Sequence, residues 1–169
     1  MPEQDGTTAL VVLLPAADAV LDAVRRVAPD RVRPGVGAHV TVLYPFVPVA
    51  EAEGAVRALA ASYRPVPLTL GDVVTRDGFA AVPVPELQPL VDAALARWPQ
   101  VRPYGGRFGA NPPAHLTLAM GATDAELDRL RSAVAPLFPI RARVEALHLV
   151  ERTGGGWRPR LAAPFPATP

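Results

Sequence analysis

The spacing of apolar and polar residues predicts a chain in which strands and helices alternate. Residues 8–14 form a continuous apolar run of strand length. A second strand is predicted over residues 38–45, where β-branched residues end at a proline, and a helix over residues 51–62. The first helix is predicted between the two strands, from apolar residues at helical spacing: Val20, Leu21, Val24 and Val27. The first part of the chain therefore indicates a β-α-β-α order.

A hairpin is predicted next. Strand-like runs cover residues 66–76 and 79–84, and the Asp77-Gly78 dipeptide joins them. Asp-Gly between two such runs is typical of a two-residue β-hairpin turn, because both residues tolerate a positive φ.

The second half begins again with a helix, whose apolar residues recur at helical spacing between Leu87 and Trp98. Residues 114–120 form another strand, and Thr123 and Glu126 have the spacing of a capping box that opens a helix. The rest of the chain is predicted to form a last pair of strands, over residues 143–151 and 157–162.

These elements indicate an internal repeat. The shift that carries His39 onto His115 also matches five other pairs: Ala38 with Ala114, Thr41 with Thr117, Val74 with Val150, Arg76 with Arg152, and Gly78 with Gly154. Each half would be a β-α-β-α-β-β unit. Two such units side by side predict one bilobal α+β domain over residues 1–169 with a central cleft between pseudo-symmetric lobes.

Composition narrows the range of functions. The 169 residues and 17.8 kDa fit one domain, and a mean hydropathy of +0.19 with 20% charged residues is unlike that of disordered proteins. The formal charge of +1 gives no field that favours duplex DNA or a membrane surface. The lack of cysteine excludes thiolate nucleophiles and cysteine-ligated metals. With neither a basic signal segment nor a spanning run near the N-terminus, we expect a cytoplasmic protein. We also expect a monomer.

Two His-x-Thr motifs carry the predicted chemistry. Side chains two positions apart on a strand project to the same face, so His39 stands beside Thr41 and His115 beside Thr117. A twofold relation would bring the four groups together in the cleft. Two imidazoles can then act as general base and general acid on a phosphodiester, while the hydroxyls donate to its non-bridging oxygens. This chemistry needs no metal and no cofactor.

The two segments AHVTVLYPF and AHLTLAM resemble the signature of the 2H phosphoesterase superfamily, and within it the 2′-5′ RNA ligase-like proteins and cyclic phosphodiesterases. The resemblance implies a duplicated fold of two mainly antiparallel sheets around a cleft, with helices outside. It implies that His39 and His115 are catalytic, that Thr41 and Thr117 bind phosphate, and that no metal takes part. By the same resemblance His115 would be the base toward water and His39 the acid toward the leaving oxygen.

The resemblance also implies the substrates, which are 2′,3′-cyclic phosphates or related phosphodiesters of nucleotides and short RNA. Many ligase-like members carry a basic residue just after the second motif, where this chain has Met120 and Gly121. This departure favours small cyclic phosphates over long RNA.

Accessory candidates are weaker. A Gly- and Pro-rich loop over residues 99–113 contains Arg102, Tyr104 and Arg107, and it either closes over the cleft and stacks a base or is an ordinary surface loop. Tyr44 lies an odd number of positions from His39, so regular alternation places it on the opposite face, unless Pro45 breaks the pattern. All four, Tyr44, Arg102, Tyr104 and Arg107, are candidates for substrate binding.

Two more residues have structural interpretations. His148 corresponds in the repeat to Asp72, not to a motif histidine, and is expected to be structural. Trp157, after three glycines, is expected to cover the core at a hairpin.

Two other functions stay open beside hydrolysis. One is 2′-5′ RNA ligation, which runs the same chemistry in reverse, and the other is non-catalytic binding of a nucleotide or RNA. A histidine-ligated metal enzyme is disfavoured, because no HExxH motif or carboxylate cluster is present at useful spacing.

Overall fold

The computed structural model describes residues 4–169, which form an α+β fold with antiparallel sheets. The strands of the described residues are β1 Thr8–Leu13, β2 His39–Phe46, β3 Val66–Leu70, β4 Val74–Arg76, β5 Phe79–Pro83, β6 His115–Ala119, β7 Ile140–Val144, β8 Ala146–Thr153 and β9 Gly156–Pro164. The helices are α1 Asp18–Val27, α2 Val49–Ala61, α3 Gln88–Arg97 and α4 Asp124–Val134. The predicted α+β class is confirmed.

Seven strands form one sheet in the order β4-β5-β6-β2-β1-β8-β9, and β3 pairs with β7 in a second, small sheet. Every paired neighbour is antiparallel. The six strands from β4 to β8 are arranged symmetrically about the β6-β2 pair, with β5 matching β1 and β4 matching β8, and β9 lies outside this symmetry. Both His-x-Thr strands therefore lie side by side at the centre of the large sheet.

The main core lies on one face of the large sheet. Buried residues of all four helices and of the small sheet pack there against alternate strand residues, among them Leu10, Val40, Leu116 and Leu149. The opposite face carries only a small apolar cluster of Ala9, Val11 and Val150 together with the polar motif residues. The helices thus cover one face and leave the other for the site. No helix of the described residues is long and apolar enough to cross a membrane.

Two predicted strands are each divided in the structure. The run 66–76 separates into β3 and β4, and the run 143–151 separates into β7 and β8, because the chain passes from the small sheet to the large one at these points. Glu145 marks the second crossing, where its carbonyl oxygen accepts a 2.7 Å hydrogen bond from the Phe165 N–H. Continuous β-type residues do not reveal which sheet a strand joins.

The local turn and cap predictions are confirmed. Asp77 and Gly78 have φ values of 49° and 80°, as a two-residue hairpin turn requires. Thr123 and Glu126 form a reciprocal capping box at the start of α4, with both side-chain-to-backbone bonds present.

Candidate active site

The two motifs face each other across the β2-β6 pair. Val40 pairs with Leu116, and both side chains are fully buried on the core face. The antiparallel register therefore places His39 opposite Thr117 and Thr41 opposite His115, all on the other face. Directly opposed side chains have Cβ atoms about 4.5–5.5 Å apart, so four polar groups meet in one small volume.

The two imidazoles are oriented in the same way. Nδ1 of His39 lies 2.8 Å from the carbonyl oxygen of Gly37, and Nδ1 of His115 lies 2.7 Å from that of Pro113. A carbonyl oxygen only accepts, so Nδ1 carries a hydrogen in each ring. Nε2 is then the atom of each histidine that can accept or release a proton at the site.

Each motif strand is anchored at its start by the first residue of the preceding long helix. The Ala38 N–H donates to Oδ1 of Asp18 at 2.8 Å, and the Ala114 N–H donates to Oε1 of Gln88 at 2.8 Å. The carbonyl oxygens of the same two alanines accept bonds of 2.7 and 2.9 Å from the chain just after β1 and β5. These matched bonds fix the backbone immediately before His39 and His115.

A β-bulge in β2 moves Tyr44 to the site. Between the pairs Leu10-Leu43 and Val11-Thr41 the register shifts by one residue, so Val42 and Leu43 are both buried. Alternation is thereby reset, and Tyr44 lies on the same face as Thr41. Regular alternation predicts that Tyr44 lies on the face of the sheet away from His39, and this expectation is wrong because of the bulge.

The same irregularity occurs in β6. Its register with β5 shifts near Ala119, and Leu118 and Ala119 are both buried. Met120, the residue just after β6, thereby corresponds to Tyr44 of β2, and it is 42% exposed.

Tyr104 reaches the site from the loop before β6. Its side chain forms a hydrogen bond with Thr41, and its ring centroid lies 5.9 Å from that of Tyr44. Burial raises the pKa of Tyr104, although the bond to Thr41 and the nearby Arg33 oppose this rise. The phenol therefore stays protonated near neutral pH. Its backbone has a φ of 53°, which a non-glycine residue adopts at a cost.

Arg102 and Arg107, the two arginines of the loop before β6, do not line the pocket beside the histidines. The guanidinium of Arg102 folds back against Gly106, and that of Arg107 stacks 5.4 Å from the ring centroid of Phe108, which is 59% exposed. A shallow pocket between β2 and this loop is lined by Thr41, Tyr44, Tyr104 and His115, among others, and by neither arginine.

Three residues at the site were not selected from the sequence. Arg33 is near enough to lower the pKa of His39. The Phe79 ring meets the imidazole of His115 edge-on at 5.6 Å, and the Trp157 ring meets that of Tyr44 edge-on at 6.0 Å. No motif marks Arg33 in a chain whose basic residues are all arginine. Phe79 follows the predicted Asp77-Gly78 turn, but the sequence does not show that its strand pairs with β6.

The electrostatics favour a neutral His39 in the free protein. Burial is the main cause that lowers its pKa, and the positive charge of Arg33 and the neighbouring His115 lower it further. The carbonyl oxygen of Gly37 acts in the opposite direction. A bound anion would raise the pKa of His39. Within residues 4–169, no three His, Asp or Glu side chains are grouped to hold a metal ion.

A sequence model of the 2′-5′ RNA ligase superfamily matches residues 13–156. The chain belongs to the 2′-5′ RNA ligase superfamily. The matched range of this superfamily member contains both His-x-Thr strands, and the resemblance to the 2H phosphoesterases is confirmed. None of the curated protein sequences matches it significantly.

Solved structures have the same fold as this 2′-5′ RNA ligase superfamily member. A crystal structure described as a phosphoesterase is 19% identical, with a TM-score of 0.60 and coverage of 95% of this chain and 98% of that one. E. coli LigT complexed with 3′-AMP is 18% identical, with a TM-score of 0.58 and coverage of 96% and 99%. LigT complexed with ATP is 19% identical, with the same TM-score and coverage. At this identity, the likeness concerns the fold.

Proposed function

We propose that the protein hydrolyses 2′,3′-cyclic phosphates, or related phosphodiesters of nucleotides and short RNA, with His39 and His115 as an acid-base pair. The observation that carries this proposal is the paired geometry. Two imidazoles with matching Nδ1 bonds alternate with two threonine hydroxyls on one sheet face. Membership of the superfamily and the nucleotides in the LigT crystals agree with such a substrate.

In the proposed reaction, Nε2 of neutral His115 accepts a proton from water while the water oxygen attacks phosphorus. The bond from phosphorus to one ribose oxygen breaks, and Nε2 of protonated His39 gives that oxygen its proton. Thr41 and Thr117 donate hydrogen bonds to the non-bridging oxygens, where negative charge grows in the transition state. The assignment of base and acid follows the resemblance to the 2H phosphoesterases.

The pKa of His39 suits the acid role better in the complex than in the free protein. Burial lowers this pKa in the free protein, and the negative charge of a bound phosphodiester would raise it. His39 would thus take up a proton from solvent when the substrate binds. The hydrogen bond with Tyr104 orients the side chain of Thr41 at the place where that anion would bind.

The deciding experiment offers the purified protein the four nucleoside 2′,3′-cyclic monophosphates and 2′-5′-linked dinucleotides, with and without EDTA. We expect ring opening of the cyclic phosphates to a nucleoside monophosphate, with no loss of rate in EDTA. Products joined by a 2′-5′ bond would support the ligase. Met120 argues against it, because this exposed residue stands where many ligase-like members carry a basic one. Unchanged kinetics of His39→Ala and His115→Ala would remove the two histidines from the mechanism. Binding without turnover of any of these substrates by wild type would leave a binding module.

A further inference from the structure

Strand β8 extends the site face of the sheet beyond the His-x-Thr pairs. Thr41 pairs with Val11 on β1, and Val11 pairs with His148 on β8, so the three residues form one row across the sheet. Val150 packs with Val11 on that face, and β8 has no extra residue there. Alternation along β8 therefore puts His148, Val150 and Arg152 on the face that carries the catalytic pair.

Arg152 has one unsatisfied donor in its guanidinium group. Its Nε is buried without a hydrogen-bond partner, and its side chain forms no ion pair within residues 4–169. Most buried side-chain donors in proteins are satisfied, and a buried donor without a partner is costly. An anionic ligand group at this place would offset that cost.

The route from the catalytic pair to Arg152 is lined by aromatic rings. Arg152 pairs across β8-β9 with Trp157, and the Trp157 ring contacts Tyr44, which follows Thr41 on the same face. Strand spacing and rise place the Cα atom of Arg152 roughly 16 Å from that of Thr41. An extended arginine covers part of this distance, so Arg152 can meet a neighbouring group of the substrate but not the reacting phosphate.

We propose that Arg152 binds a second phosphate, carried on the 5′ oxygen of the nucleotide whose cyclic phosphate lies between His39 and His115. This inference rests on the proposed function. A 2′,3′-cyclic phosphate sits at one end of the ribose and the 5′ oxygen at the other, so the ribose spans the stretch past Tyr44. The preferred substrate then carries two phosphates rather than one.

Two kinds of molecule provide a phosphate on that oxygen. One is a mononucleotide with a 5′-phosphate, and the other is an oligonucleotide, in which the 5′ oxygen belongs to the preceding phosphodiester. A guanidinium recognises the non-bridging oxygens of both by charge-assisted hydrogen bonds. Comparison of three substrates distinguishes mononucleotides from oligonucleotides as the source of the second phosphate. They are a nucleoside 2′,3′-cyclic phosphate, its 5′-phosphorylated form, and a dinucleotide ending in the cyclic phosphate.

The test compares wild type with Arg152→Gln and with Arg158→Gln, an exposed arginine of the same hairpin that points away from the site. We expect Arg152→Gln to lower kcat/KM about 10- to 100-fold for the substrates with a second phosphate and to leave the plain cyclic phosphate unchanged. Arg158→Gln should change none of the three. A preference of wild type for the dinucleotide over the 5′-phosphorylated form would identify RNA ends as the source, and the reverse would identify mononucleotides.

Equal loss on all three substrates, or no loss on any, would overturn the proposal. Arg152→Lys keeps the charge and should restore part of the lost rate, which a merely structural role of the guanidinium would not predict.

A binding measurement separates this inference from the proposed reaction. Calorimetry should show that wild type binds a nucleoside 3′,5′-bisphosphate more tightly than the 3′-monophosphate, and that Arg152→Gln removes the difference. Tighter binding without any hydrolysis would contradict the catalytic proposal and uphold the second phosphate site. Equal affinity of wild type for both nucleotides would refute the second site, whatever the catalytic result.

Discussion

His39 and His115 make matching backbone bonds but have different surroundings. His39 has the guanidinium of Arg33 nearby, whereas His115 has the edge of the Phe79 ring. A cation beside one imidazole and an apolar ring beside the other give the pair two unequal members. For His39, burial first and the Arg33 cation next disfavour the protonated form, so its pKa is lowered.

The first prediction concerns the pH dependence. If His39 is the acid, kcat/KM reports its ionisation in the free protein, where its pKa is lowered from 6.5. The ionisation of His39 in the pH profile of kcat/KM should lie below pH 6.5, and the same ionisation in the profile of kcat should lie higher, because the bound phosphate raises the pKa of His39. Coincident pKa values of His39 in the two profiles would contradict a substrate-induced protonation.

The threonine hydroxyls give the second prediction. Thr117→Val removes a donor at nearly constant volume, and we expect kcat to fall about 10²- to 10³-fold, as for other lost donors to a transition-state anion. Thr117→Ser keeps the hydroxyl and serves as the control. Steady-state rates and thermal unfolding of both variants are the measurements; a fully active Thr117→Val would remove the hydroxyl from the mechanism.

At the scale of elements, the anchors at the helix starts position the motif strands. Asp18→Ala would leave the Ala38 N–H without its acceptor and free the backbone before His39. We expect a loss of about 1–3 kcal/mol in the free energy of unfolding, together with a lower kcat. Asp22→Ala, on the same helix but in an exposed pair with Arg25, is the matched control and should be near wild type. Urea denaturation and the cyclic phosphate assay would check both.

The sequence predicted those features that depend on local patterns. Helix spacing, the Asp77-Gly78 turn and the capping box at Thr123 are local, and the structure has all of them. The bulge that moves Tyr44 to the site is not local, because an inserted residue shows only in the register between two strands. The partners of Arg33 and Tyr104 depend on how loops fold over the sheet, which no periodicity reports.

For the whole molecule, the polar face of the sheet makes stability depend on pH. Burial lowers the pKa of both His39 and His148, so the unfolded chain binds more protons than the folded one between the folded pKa and about 6.5. This stability is fully present above about pH 6.5 and is lost as the pH falls through the folded pKa. The maximal slope is about 1.4 kcal/mol per pH unit for each histidine.

Denaturation between pH 7 and pH 5 tests this last prediction. His148→Gln should make the unfolding free energy less steep in pH than in wild type, since one titrating group is gone. An identical slope in the variant would mean that His148 titrates alike in both states. Cyclic phosphate turnover near pH 7 should survive the substitution.

The position of β1 between β2 and β8 has a consequence for folding. Thr8 pairs with Phe46 on one side and with Glu151 on the other, so the second edge of β1 acquires its partner only from the last hairpin of the fold. Such distant pairing gives a high contact order, which slows folding. During synthesis, β1 and β2 can associate early. The other edge of β1, however, stays apolar and unpaired until β8 has been synthesised. The nascent protein is therefore most prone to aggregation shortly before its sheet is complete.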